Sequence, residues 1–205
     1  MRHLTCTSMK SGTRSDSTTT EPTDPLVAAT RSRRGVARSD DALQFAAHRE
    51  PLGPAYFRVF QWAGWFYALA MPGIFLRSAD GLTEFERGPT LFSAEMRHCA
   101  VLIRDDVLYV FYTNAGDCPE QILLSRIKLT SDWMRWSTSD PVALLAPDEP
   151  YEGGELPRVA SRRGMVLERV CQLRDPAIFT EDGRTYLLYS VAGEHGIAIA
   201  ELQND

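Results

Sequence analysis

The chain has 205 residues, 44% of them hydrophobic and 10% aromatic, with a net charge of −5. That is enough apolar material for a real core, and the acidic balance argues against nucleic acid or an anionic membrane surface as a partner, since phosphate contacts need clustered Lys and Arg. The longest apolar run, around Trp65 to Phe75, is broken by Pro72 and Gly73 and is too short to cross a bilayer.

Residues 1–34 are rich in Ser, Thr, Arg and Pro and are expected to be a disordered or non-homologous segment, because they cannot bury enough surface to offset their ordering entropy. The cluster Arg31, Arg33 and Arg34 is read as a solvated run. No basic stretch followed by an apolar one opens the chain, so nothing marks it for secretion. Cys6, Cys99, Cys118 and Cys171 form no CxxC pair, which suits reduced thiols in a cytoplasmic protein.

From residue 35 the texture changes to short β-rich runs punctuated by Gly, Asp and Pro, with no long 3.6-residue apolar period; this is an all-β pattern. Three fifteen-residue windows align without a gap: 56–70 (YFRVFQWAGWFYALA), 98–112 (HCAVLIRDDVLYVFY) and 175–189 (DPAIFTEDGRTYLLY). Each reads as strand, turn and strand, with a tyrosine at one fixed place (Tyr67, Tyr109, Tyr186). The turns fall at Ala63-Gly64, Asp105-Asp106 and Asp182-Gly183, where a tight hairpin needs residues that tolerate positive φ. Consecutive apolar positions such as Val101-Leu102-Ile103 and Leu187-Leu188-Tyr189 predict sheets covered on both faces, as stacked propeller blades are.

A second repeat accompanies the first. Arg38-Ser39-Asp40-Asp41-Ala42-Leu43 matches Arg77-Ser78-Ala79-Asp80-Gly81-Leu82 at a spacing of 39 residues, a reasonable blade period. The chain thus divides into an outer half-blade at 35–55, blades at 56–96 and 97–145, a long connection at 146–173 and a final partial blade at 174–205. The total is about three and a half blades, against roughly four to eight in closed propellers. The expected architecture for 35–205 is an incomplete five-bladed β-propeller, with open blade edges available for self-association.

The segment RDPAIF, then EDG, then YLLYS over residues 174–190 resembles the blade motif of the five-bladed propeller glycoside hydrolases, the arabinanase, β-xylosidase, levansucrase and invertase-like group. The run from Leu52-Gly53-Pro54 through Tyr56-Phe57-Arg58 to Met71-Pro72-Gly73 resembles a blade of an uncharacterised bacterial branch. The resemblance covers about residues 35–205. It implies a carbohydrate as partner, no cofactor beyond an axial calcium ion that some relatives place near a histidine, and a catalytic base on a first blade that precedes the region matched here. No residue of this chain inherits that role, so the isolated chain is expected to be inactive.

Glycoside cleavage generally needs two carboxyl groups flanking the bond. In a propeller, the starts of the innermost strands surround one mouth of the channel, and the aligned starts here are Tyr56, His98 and Asp175, with Arg97 and Arg174 just before two of them. Asp175 is the candidate catalytic carboxylate, in an orienting or pKa-tuning role; as Asp before Pro it is equally suited to capping a turn. Tyr56, Arg58, His98, Arg97 and Arg174 are candidate substrate contacts, Tyr56 by stacking on a sugar ring. The two arginines fit blade-to-blade salt bridges as well. A general acid is sought among Glu149, Glu152, Glu155 and Glu168, in or beside the long connection. Trp62 and Trp65 are read as packing. No phosphate loop, HExxH, GxSxG or metal-spaced Cys/His cluster is present. Three readings stand: a hydrolase-like enzyme present in its C-terminal part, a non-catalytic carbohydrate-binding propeller, and an inert fragment of a frameshifted gene.

Overall fold

The computed structural model describes residues 35–47 and 51–203. The expectation of disorder for 1–34 lies outside the described residues. The architecture is all-β. A short ribbon pairs β1 (Ala37–Arg38) with β2 (Ala46–Ala47). Three antiparallel meanders follow. The first contains β3 (Arg58–Trp62), β4 (Trp65–Ala70), β5 (Ile74–Ser78) and β6 (Glu86–Thr90). The second contains β7 (Met96–Arg104), β8 (Val107–Asn114), β9 (Ile122–Lys128) and β10 (Val142–Leu145), and the third β11 (Arg174–Glu181), β12 (Arg184–Val191) and β13 (Gly196–Leu202). Each meander is one propeller blade, and together they form part of a propeller. Among the described residues, no helix is long and apolar enough to cross a membrane.

The hairpins sit where the turn residues place them. Trp62 pairs with Trp65 across Ala63 (φ 46°) and Gly64 (φ 80°), and Glu181 with Arg184 across Asp182 (φ 50°) and Gly183 (φ 77°). Two successive positive φ values give the turn whose twist matches the flanking strands. The second repeat is also local chemistry. Asp41 Oδ1 accepts the backbone N–H groups of Leu43 (2.9 Å) and Gln44 (2.8 Å) and the Ser39 hydroxyl (2.9 Å). Asp80 Oδ1 accepts those of Leu82 and Thr83 (both 2.8 Å) and the Ser78 hydroxyl (2.9 Å). Such side-chain-to-backbone bonds are what make Asp a turn former.

The blades stack through two apolar layers. Between the first and second lie Phe60, Tyr67, Leu69 and Phe75 on one side and Met96, Leu108, Val110 and Ile127 on the other. Trp133 and Trp136, from a 3₁₀ turn after β9, wedge into this layer; Trp136 stands edge-on to Phe75 at a centroid distance of 5.6 Å and lies 4.9 Å from Tyr67. Between the second and third blades, Ala100, Phe111 and Ile122 meet Leu173, Leu187, Tyr189 and Val191. The middle sheet is therefore covered on both faces.

The third sheet is not. Its strands alternate in burial: Leu187 and Tyr189 lie in the core, whereas Phe179, Ile197 and Ile199 are 48%, 76% and 59% exposed. Consecutive apolar residues at 186–189 had predicted two covered faces. Among the described residues only the second blade packs on this sheet, so every other side chain points to solvent.

Candidate functional site

The innermost strands β3, β7 and β11 are neighbours, and each begins with the same backbone anomaly. Tyr56, just before β3, has φ 55°; His98 in β7 has φ 21°; Asp175 in β11 has φ 48°. None is glycine, so each conformation carries strain that the surrounding structure must support. At two of them the ladder is bulged. Arg97 faces Thr113 and Cys99 faces Tyr112, leaving His98 extra; β11 slips likewise between Arg174 and Ala177. A bulge re-aims a side chain out of the pleat, and Pro176, which has no N–H to donate, fits within one.

The consequence is a cluster. Nδ1 of His98 touches Oδ1 of Asp175, and the Tyr56 ring packs tilted against the imidazole at a centroid distance of 4.3 Å. The Ser190 hydroxyl points to Asp175 Oδ2 at 3.4 Å. The His98 side chain is 6% exposed and that of Asp175 38%, so the carboxylate is the face presented outward. Burial disfavours its ionised form. The contact and charge of His98, followed by the charges of Arg97 and Arg174, outweigh this and hold the carboxyl below its ordinary value.

Arg97 and Arg174 are buried beneath the cluster and turn to protein acceptors. Arg97 Nη1 lies 3.6 Å from Glu120 Oε2, and Arg174 Nε lies 3.3 Å from the same oxygen. Arg174 also donates to Gln172 Oε1 (2.6 Å) and pairs with Glu194 (3.1 Å). Glu120, on the loop between β8 and β9, is fully buried. Sequence reasoning missed it. The available signal was an acid directly ahead of the apolar run Ile122-Leu123-Leu124, with two arginines before strand starts needing a counter-charge. Arg58 is exposed, and its Nε donates to the Cys99 carbonyl at 2.8 Å, tying β3 to β7.

The long connection is tied to both arginines. Arg97 Nη1 donates to the Arg162 carbonyl at 2.9 Å, and Arg174 Nη1 to the Gly164 carbonyl at 3.3 Å. Ser161 bonds to Asp117 and Gly116 (3.0 and 3.2 Å), and Arg163 reaches back to the Ala94 carbonyl. Residues 161–164 thus touch β7 and the segment before it, the start of β11 and the loop after β8.

The four glutamates considered as general acids divide sharply. Glu152 is 5% exposed; it accepts the Tyr189 hydroxyl at 2.8 Å and caps its own turn through the Asp148 and Glu149 N–H groups at 3.1 and 3.2 Å. Glu149, Glu155 and Glu168 are exposed. Trp62 donates to Asp106 Oδ1 at 3.1 Å and packs edge-on to Trp136, while Arg77 lies over Trp65. Trp62 is partly buried against the core, whereas Trp65 is 40% exposed. Among the described residues, no group of three or more His, Cys, Asp or Glu is placed to hold a metal ion.

Solved structures share this arrangement of blades. A β-1,2-mannobiose phosphorylase from Listeria innocua, solved with β-1,2-mannobiose, superposes with a TM-score of 0.52 at 14% identity, over 82% of this chain and 48% of that one. An α-L-arabinanase of Cellvibrio cellulosa complexed with arabinohexaose gives 0.51 at 14% identity, over 84% of this chain and 66% of that one. The fold shared with these structures is that of a β-propeller. At such identity the likeness establishes the fold alone. No protein-family model matches the chain. An uncharacterized protein of Acanthamoeba polyphaga mimivirus is 36% identical over 184 residues, covering 82% of this chain and 52% of the relative. The chain therefore spans about half the length of that curated relative. The relative is viral, so this match does not support the bacterial branch suggested by the blade at residues 52–73.

Proposed function

We propose that the chain binds a carbohydrate at the propeller mouth, through Tyr56, His98 and Asp175. The observation that carries this reading is their meeting. Three equivalent positions of three successive repeats hold an aromatic, an imidazole and a carboxylate, all on strained backbone, with the imidazole in contact with both of the others. A sugar ring needs an apolar platform for its C–H face and acceptors and donors for its hydroxyls. Tyr56 supplies the platform and the outward Asp175 accepts from hydroxyls, while His98 orients that carboxylate. Arg58 stands at the rim as a donor. Arg97 and Arg174 act from below, by charge.

Binding is the reading favoured over cleavage for this part of the chain. Cleavage calls for a second carboxyl across the bond, and Glu152, the buried one of the four candidates, is engaged by Tyr189 and by its own turn.

The test is calorimetric titration of the full chain with arabinohexaose and β-1,2-mannobiose, then with a wider panel of neutral oligosaccharides. Tyr56→Ala and Asp175→Asn should each weaken binding of whichever sugar binds by at least about tenfold, the equivalent of one or two lost polar or stacking contacts. No binding by any sugar, or undiminished binding in both variants, overturns the proposal. A reducing-end assay on the same samples separates binding from hydrolysis.

A further inference from the structure

We infer that Glu120 is a positioning residue, whose buried carboxylate sets Arg97 and Arg174 so that they clamp residues 161–164 across the face where His98 and Asp175 meet. The inference rests on the proposed sugar site for its functional meaning, but its structural content stands apart.

Glu120 sits on the β8–β9 loop of the second blade, and its partners come from two blades: Arg97 from β7 of its own and Arg174 from β11 of the next. The loop is anchored at the same point, because the Leu173 N–H donates to the Glu120 carbonyl at 2.9 Å. Both carboxylate oxygens are buried and accept no aligned hydrogen bond among the described residues. Such a group would be a poor choice for stability alone, since desolvating three charges costs much of what their attraction returns. Its geometric effect is specific. One carboxylate oxygen faces two guanidinium groups; Arg97 Nη1, the nitrogen that faces it, also donates to the Arg162 carbonyl, and Arg174 Nη1, which also pairs with Glu194, donates to the Gly164 carbonyl. Arg97 and Arg174 directly precede His98 and Asp175 in the chain, and Arg97 Nη2 is 3.5 Å from His98 Nε2. Supporting residues of this kind hold the contacting ones to a productive geometry.

Limited trypsin digestion of the full chain reads the clamp, because Arg162 and Arg163 are themselves cleavage sites in the clamped segment. The wild type and the Glu120→Gln and Glu120→Asp variants are digested under native conditions, and cleavage at Arg162 and Arg163 is compared with cleavage at Arg126 and Arg184 on distant strands. In Glu120→Gln the ratio should rise at least tenfold. In Glu120→Asp, which keeps the charge on a shorter arm, it should rise less. An unchanged ratio, or equal acceleration at all four sites, overturns the inference, since a purely structural role would loosen the whole sheet stack. If Glu120→Gln does not fold, the triple variant Arg97→Met/Glu120→Leu/Arg174→Met keeps apolar packing in place of the charges and is read the same way. Sugar titration of the same proteins separates the two claims. A raised ratio with no sugar bound even by the wild type sinks the binding site and leaves the clamp. Sugar binding by the wild type with an unchanged ratio in the variant does the reverse.

Discussion

His98 and Asp175 occupy the same place in successive repeats, and in the folded chain they touch across a blade boundary, Nδ1 against Oδ1. Each sits at a bulge with positive φ. The contact couples the ionisation of the site to the stacking of two blades.

That coupling gives a pH signature. The Asp175 carboxyl is held below its ordinary value in the folded chain. A depressed acid contributes stability above its unfolded value, about pH 4, and loses it as pH falls through the folded value. Urea unfolding followed from pH 6 downward should show the wild type losing stability below about pH 4 more steeply than Asp175→Asn. Parallel curves would mean the carboxylate contributes nothing to the fold.

Glu152 is expected to be structural. Glu152→Gln should cost about 1–3 kcal/mol, because the acceptor of the Tyr189 hydroxyl and of two backbone donors is weakened or reversed in a buried place. Sugar affinity should be unchanged. A variant of normal stability with lost binding or turnover would restore Glu152 as a candidate acid.

The two matching turns make opposite predictions for one kind of change. Gly81 has φ 72°, and a Cβ there would lie 2.6 Å from Phe66 Cδ1. Gly81→Ala should destabilise by about 2 kcal/mol, from strain and overpacking together. Ala42 holds the equivalent place at φ 61°. Ala42→Gly relieves the same strain and should leave the melting temperature unchanged or raised. Thermal melts of both variants settle the comparison, and a stabilising Gly81→Ala would contradict it.

Thiol labelling checks the packing directly. Burial pushes the Cys99 thiol up to about 12 and raises that of Cys171, while Cys118 is exposed. In a Cys6→Ser background, a thiolate-specific reagent at neutral pH should label Cys118 alone until the chain is unfolded, because the thiolate is the reacting species. Labelling of Cys99 at the rate of Cys118 would show that the layer between the first two blades is open.

What the sequence by itself determined was everything carried by neighbours in the chain. The hairpin turns at Ala63-Gly64 and Asp182-Gly183, the Ser-x-Asp turns at Ser39 and Ser78, and the equivalence of Tyr56, His98 and Asp175 all follow from turn chemistry and strand texture, which act over a few residues. Tertiary structure decided what depends on which blade stands next to which. It brought Arg97 and Arg174 to a common acid at Glu120, buried Glu152 against Tyr189, tied residues 161–164 to both arginines and left one face of the third sheet exposed. Burial and charge pairing between residues far apart in the chain have no local signature, because the same Glu or Arg is written identically whether it faces water or a neighbouring blade.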